Sequence, residues 1–223
     1  MRAITILIGV ALLITAQQAE QKFGLIELPM PQIKGNVSLE ESIALRRSVR
    51  DFADEPLSLK ELSQLLWAGQ GMTDQSRGLR AAPSAGALYP LELIVVAKNV
   101  EGLKPGAYRY VPQKHALRLI KSGELSPALA RAGLGQHSIS EAPAVILING
   151  IYARTTIKYG ERGTRYVHIE VGCSLENMLL QAVALNLGAV VVGAFDDDEI
   201  KQVTGSGKSE QPLALICVGR TKK

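Results

Sequence analysis

Cysteine and histidine are scarce in this chain. The 223 residues include two cysteines and three histidines. Cys173 and Cys217 have no C-x-x-C spacing, which argues against a zinc site or a disulfide framework; both read as core residues. His115, His137 and His168 stand far apart without paired carboxylates, so no metal site is expected. Aromatic residues make up 4% of the chain, too few for a base-stacking platform. The net charge of +4 is carried by scattered basic residues, so the expected partner is a phosphate-bearing small molecule and not nucleic acid. No G-x-G-x-x-G follows a strand and opens a helix, which removes a Rossmann nicotinamide domain. Gly205-Ser206-Gly207-Lys208-Ser209 looks like the end of a P-loop, but Gln202 stands where the motif needs its first glycine, and the segment reads as a surface turn.

What is present fits a folded chain. Hydrophobic residues make up 47% and charged residues 21%, enough to build a core without staples. Met1-Arg2 precedes an uncharged apolar run over 3–15, shorter than the roughly 20 residues of a membrane-spanning helix. Residues 1–19 therefore read as a signal peptide, with Ala16 and Ala19 as cleavage sites and an uncleaved membrane anchor as the alternative. The expected location is extracytoplasmic or membrane-anchored, and no twin arginine supports folded export. Residues 20–35, with Pro29, Pro31 and Gly35, read as a linker, and 36–223 as one globular domain.

Within that domain, Ser38 with Glu41 and Ser58 with Glu61 are capping boxes, predicting helices from 39 to about 47 and from 59 until Gly69 and Gly71. Residues 69–78 read as a mobile glycine-rich loop able to cover a site. Apolar runs at 91–97 and 144–151 predict buried strands, and 108–111 with 116–120 a hairpin. Ser126-Pro127 should start a helix with the serine as cap. The longest helix is predicted over 164–187, stopped by a left-handed Gly188. Its apolar positions cover more than one face, placing it deep in the core or in a subunit interface. Strands at 189–194 and 212–218 flank a short helix capped by Asp196. Strands and helices mix without strict βαβ alternation, which predicts an α+β sheet sandwich.

Two segments carry chemistry. Arg46, Arg47, Ser48 and Arg50 put three guanidinium groups and a hydroxyl within one turn; such a cluster suits a phosphate, or else is a solvated basic helix end. Arg80 to Pro90 is a run of small residues pinned by Pro83 and Pro90. Its bare backbone can approach a flat ring closely, or it is a tight turn without function.

These segments, together with Asn177-x-x-Leu180-x-Ala182 before Leu187-Gly188, resemble the nitroreductase superfamily. More narrowly, Pro83-Ser84-Ala85-Gly86-Ala87-Leu88-Tyr89-Pro90 and Lys158-Tyr159-Gly160 resemble its SagB/ThcOx branch of azoline-oxidising dehydrogenases. The likeness spans about 38–220. It implies a central mixed sheet flanked by helices, and a homodimer with an FMN touching both subunits at each of two interface sites. By position, Arg46, Arg47, Ser48 and Arg50 would hold the phosphate and ribityl chain, and Pro83, Ser84, Ala85 and Gly86 would line the isoalloxazine ring. Val192, Gly193 and Ala194 match the segment addressing flavin N5, although several relatives carry an acidic residue where Gly193 stands. Arg220 matches a basic position that reaches the phosphate.

Lys158 and Tyr159 match a pair implicated in acid–base steps, which is chemically reasonable because a proton must leave the atom beside the one that loses hydride. Their unperturbed pKa values lie near ~10, so burial or a nearby cation would have to tune them. A surface lysine beside a packing tyrosine is the alternative. The implied activity is an FMN-dependent two-electron oxidation of an azoline-like or cyclic amine substrate. An NAD(P)H-dependent nitroreductase or quinone reductase, and a non-catalytic flavin- or peptide-binding protein, are the alternatives. The arginine cluster and the small-residue turn are expected to flank one cleft at a subunit boundary.

Overall fold

A computed structural model describes residues 24–222. The segment read as a signal peptide lies outside the described residues. The chain forms β1 (Leu25–Glu27), α1 (Leu39–Leu45), α2 (Leu59–Gln70), β2 (Met72–Asp74), β3 (Leu79–Arg80), β4 (Leu91–Ala97), β5 (Gly106–Val111) and β6 (Ala116–Ser122). Then follow α3 (Ser126–Ala132), α4 (His137–Glu141), β7 (Ala144–Gly150), α5 (Tyr152–Tyr159), α6 (Arg162–Ala184), β8 (Gly188–Val192), α7 (Asp197–Thr204) and β9 (Gln211–Gly219).

Seven strands make one sheet in the order β1-β6-β5-β4-β7-β9-β8. Every neighbouring pair in it is antiparallel, so the expected mixed sheet is corrected to an antiparallel one. Among the described residues, parallel pairing is confined to the isolated bridges Ser48–Ala189 and Leu57–Val100. Central strands alternate faces with period two, as extended chain must. Leu93 and Val95 of β4 and Ile146 of β7 enter a core shared with Leu62, Leu66, Val167 and Met178 of α2 and α6. Ile94, Val96, Val145 and Leu147 enter a second core with Leu129, Ile139 and Ile200 of α3, α4 and α7. The α+β expectation holds, with helices covering both sheet faces. Truncating a buried side chain such as Ile146 should cost about 2–5 kcal/mol.

Local signals explain most helix ends. Both capping boxes form, with Ser38 accepting from the Glu41 amide and Ser58 from the Glu61 amide. Gly69 lies inside α2, where a Cβ would stand 2.9 Å from Met178 Sδ, so the missing side chain admits α6. The stop of α6 differs from expectation. Asn186, at φ 56, takes the left-handed position; the Asn186 amide donates to Val183 and the Leu187 amide to Ala182, closing a Schellman motif. Gly188 instead begins β8. Ser126 sits inside α3 and makes no side-chain cap.

Two segments are more ordered than their composition suggested. The expected mobile loop 69–78 instead ends α2 and carries β2 and the turn into β3, braced by Asp74, whose carboxylate takes bonds from Ser76 and Arg77. Those bonds, led by the Ser76 hydroxyl, hold the Asp74 carboxyl down to about 2. Part of the expected linker is also docked: β1 pairs with β6, Pro29 O accepts from Ser63 Oγ at 2.6 Å, and Gln32 and Gln64 exchange hydrogen bonds.

Candidate functional site

The small-residue turn leads into β4 through backbone that side chains resist. Gly86, Ala87 and Tyr89 have φ of 64, 55 and 46. A non-glycine residue in that region costs roughly 1–3 kcal/mol and persists only where its surroundings over-determine it. The surroundings do so here. Ser84 Oγ accepts the Tyr89 amide at 2.8 Å, Arg154 donates to Tyr89 O at 3.0 Å, and the Arg80 guanidinium lies 4.5 Å above the Tyr89 ring. Arg154 is itself fixed by Glu92 at 2.6 Å. From α6, Glu170 Oε1 accepts the Ala85 amide at 2.7 Å. Burial pushes the Glu170 carboxyl above its ordinary range, against the lowering effect of its bonds to Ala85 and Ser84.

Lys158 and Tyr159 end α5 against this turn. A Cβ placed on Gly86 would stand 2.7 Å from Tyr159 Oη and 2.8 Å from Lys158 Nζ. Only glycine allows both polar groups to approach this backbone so closely. Tyr159 packs edge-on against Tyr166 of α6, with ring centres 5.1 Å apart, and Lys158 Nζ lies 5.4 Å from the Tyr159 ring centre. The sequence-derived residues Pro83, Ser84, Ala85, Gly86, Lys158 and Tyr159 thus form one neighbourhood.

The arginines occupy another. Ser48 bridges Ala189, and the Val49 amide donates to Ala189 O, which lays 48–49 along the start of edge strand β8. Arg46 reaches Glu176 of α6 only at 3.8 Å, and Arg47 donates to the carbonyls of Ala44 and Arg46. Among the described residues neither Arg47 nor Arg50 has a carboxylate partner. Arg220 is different. It lies at the same end of the sheet, but Glu61 binds its guanidinium at 2.7 Å, so it is not an uncommitted cation. Val192 ends β8 and Gly193 and Ala194 follow it, with Val192 roughly 10 Å from Ala189 at strand rise. Val192 is buried, whereas Gly193 is exposed and a Cβ there would meet open space.

Neither of two surface clefts, one beside α2 and α6 and one beside β1, is lined by both neighbourhoods. The neighbourhoods meet α6 at Glu170 and Glu176, which on a helix lie roughly 9 Å apart along the axis and about 120° apart around it. The cleft beside α2 and α6, of ≈ 750 Å³, is lined by Gln32, Leu39, Gln64, Trp67, Asn177 and Leu185, among others, and includes neither neighbourhood.

The nitroreductase family model matches residues 43–220. The chain belongs to the nitroreductase family. Membership makes it an oxidoreductase of the flavin-dependent kind. A nitroreductase by name, MJ1384 of Methanocaldococcus jannaschii, is 45% identical over 195 residues, covering 87% of this chain and 96% of the relative. The microcin B17-processing protein McbC of Escherichia coli is 26% identical, covering 82% and 71%. The solved structure of another nitroreductase by name, from Anabaena variabilis, superposes with a TM-score of 0.79 at 30% identity. It covers 90% of this chain, which spans 42% of that longer one.

Sequence reasoning missed two residues that hold the 83–89 turn, Glu170 and Arg154, and the stacking of Arg80 on Tyr89. Glu170 alone left a signal. It is an acid on the apolar stripe of Val167, Val171 and Met178, where burial demands a partner.

Proposed function

We propose that two copies of this chain hold FMN between them and move a hydride and a proton between the flavin and an azoline-like or cyclic amine substrate. The carrying observation is the convergence of Lys158 Nζ and Tyr159 Oη on Gly86. Similarity to McbC supports a SagB-type substrate class. When bound, FMN supplies reversible two-electron chemistry. The residues fit such a group: Arg46, Arg47 and Arg50 are cations with little or no internal compensation, suited to a phosphate. Ser48 would address the ribityl chain, and open Gly193, between Val192 and Ala194, leaves room beside the ring.

Because cluster and turn face different sides of one chain, each site takes its arginines from one copy and residues 83–86 from the other. Exposed apolar side chains supply surface for that pairing, with Leu39 and Ile43 on α1 61% and 57% exposed and Ile169 on α6 56% exposed. In the reaction, hydride leaves one substrate atom, and Lys158 or Tyr159 takes the proton from its neighbour as the ring double bond forms. The arginines neutralise phosphate and the turn excludes water.

The identity with MJ1384 favours a second reading, an NAD(P)H-dependent nitroreductase or quinone reductase. One experiment separates them. FMN-loaded protein is mixed with an azoline model compound and, separately, with NADPH and menadione, while flavin absorbance is followed. Bleaching by the azoline, without steady NADPH turnover, is the expected result. Steady turnover with menadione selects the second reading, and protein that binds FMN but does neither is a carrier. Protein that stays colourless with added FMN removes all three. We further propose that the domain works outside the cytoplasm or at a membrane, on the strength of residues 1–19; cell fractionation tests this.

A further inference from the structure

Glu170 is a buried acid that the proposed chemistry leaves unused. It lies on α6 between Val167 and Val171 and is 5% exposed. Among the described residues no cation pairs with it. A carboxyl so placed is costly unless its hydrogen bonds are strong. Its hydrogen-bond partner is the Ala85 amide at 2.7 Å, with the Ser84 side chain beside it.

Those two residues open the strained segment. Gly86, Ala87 and Tyr89 follow with positive φ, and the Ser84 carbonyl and hydroxyl accept the Ala87 and Tyr89 amides. The remaining clamps come from Arg80, from Arg154 of α5 and from within the turn itself. Glu170 is what ties Ser84 and Ala85 to the central helix. Gly86, one residue further on, is where Lys158 Nζ and Tyr159 Oη close.

We infer that Glu170 is a positioning residue: by accepting the Ala85 amide it fixes the 84–89 turn at the distance from Lys158 and Tyr159 that transfer requires. This rests on the reading of that pair given above, and adds what holds the opposing wall. The group acts as a hydrogen-bond acceptor and not as a charge, so an uncharged acceptor of the same shape should serve.

Three variants of the full chain test it. Glu170→Gln keeps the acceptor, and Glu170→Ala removes it. Ala85→Pro removes the donor while leaving Glu170 intact, and Ser84, at φ −139 and ψ 134, already has the extended backbone that precedes proline. The first readout needs no flavin: amide hydrogen exchange at Ala87 and Tyr89. The expected result is exchange about tenfold faster in Glu170→Ala and Ala85→Pro, and within about threefold of wild type in Glu170→Gln. The second readout is the single-turnover transfer rate of FMN-loaded protein with the position of the flavin absorbance band. Glu170→Ala and Ala85→Pro should lose roughly tenfold in rate and shift the band, and Glu170→Gln should recover both.

Wild-type exchange in Glu170→Ala overturns the inference, as does damage in Glu170→Gln equal to that in Glu170→Ala. If Glu170→Ala does not fold, Ala85→Pro decides, and unchanged exchange there is equally fatal. Wild-type protein that binds no FMN would defeat the functional reading instead, while exchange would still show whether Glu170 holds the turn.

Discussion

At the start of β8, Arg47 and Arg50 stand in solvent and Arg46 is partly buried, restrained by one long ion pair and a few backbone bonds. The turn at 83–89 is held by Glu170, Ser84, Arg154 and Arg80 in backbone it would not adopt alone. The difference follows from the work each would do. Charge capture tolerates loose geometry, because long guanidinium arms follow a phosphate over several ångströms. Hydride and proton transfer do not, since small misplacements of reacting atoms are expensive in rate.

The largest effect should come from the loose region. Removing Arg46 and Arg50 together, as Arg46→Ala with Arg50→Ala, should weaken FMN binding about a hundredfold or more, read by fluorescence titration. The thermal midpoint should barely move, and added salt should narrow the gap from wild type. A loss under about threefold would break the assignment of this region to phosphate.

In the rigid region, Lys158→Met should slow substrate oxidation about a hundredfold while FMN affinity stays within about threefold. Equal losses in both would mean that the lysine binds and does not transfer. A smaller effect is expected from Gly86→Ala, whose methyl would press on Tyr159 Oη and Lys158 Nζ from backbone at φ 64. Displacing those flexible ends should cost about tenfold in rate and about 1 kcal/mol in stability, measured by stopped flow and urea melts.

The smallest effect is a pH slope. Burial raises the carboxyl pKa of Glu170 in the folded chain, so between its ordinary value and the raised one the folded state binds more protons than the unfolded state. Its contribution to stability is therefore fully present below the ordinary carboxyl range and is lost as pH rises through the raised value. Urea midpoints at stepped pH should show that loss in wild type and not in Glu170→Gln. Parallel slopes would mean that the carboxyl does not titrate as its burial implies.

Much of this was legible in the chain. Ser38 and Ser58 announced their helices because a capping box is complete within four residues. The strands at 91–97 and 144–150 announced themselves because a buried run between turn residues has few other uses. The arginines and the Lys158-Tyr159 pair were visible as motifs. Other features left no local trace. Strand β1 is three residues long, and the partners that dock it and its continuation, Arg118, Ser63, Gln64 and His115, are 32 or more residues away. Asn186 displaced Gly188 as the helix stop because the glycine was needed to start β8, where a side chain would strike Val49 and Thr221. The separation of arginines from turn, and the Glu170 hydrogen bond that crosses 85 residues, depend on where α6 passes.

By itself, then, the sequence determined the longest helices and the central strands, several of their ends, the residues able to carry charge and protons, and the family likeness, all of which rest on interactions among near neighbours in the chain. Only the tertiary structure decided the antiparallel strand order, the docking of residues 25–32, the engagement of Arg220 by Glu61 and the separation of the arginine cluster from the 83–89 turn. Those outcomes are set by which distant faces bury each other, and contacts between residues far apart along a chain leave no period or motif in it to be read.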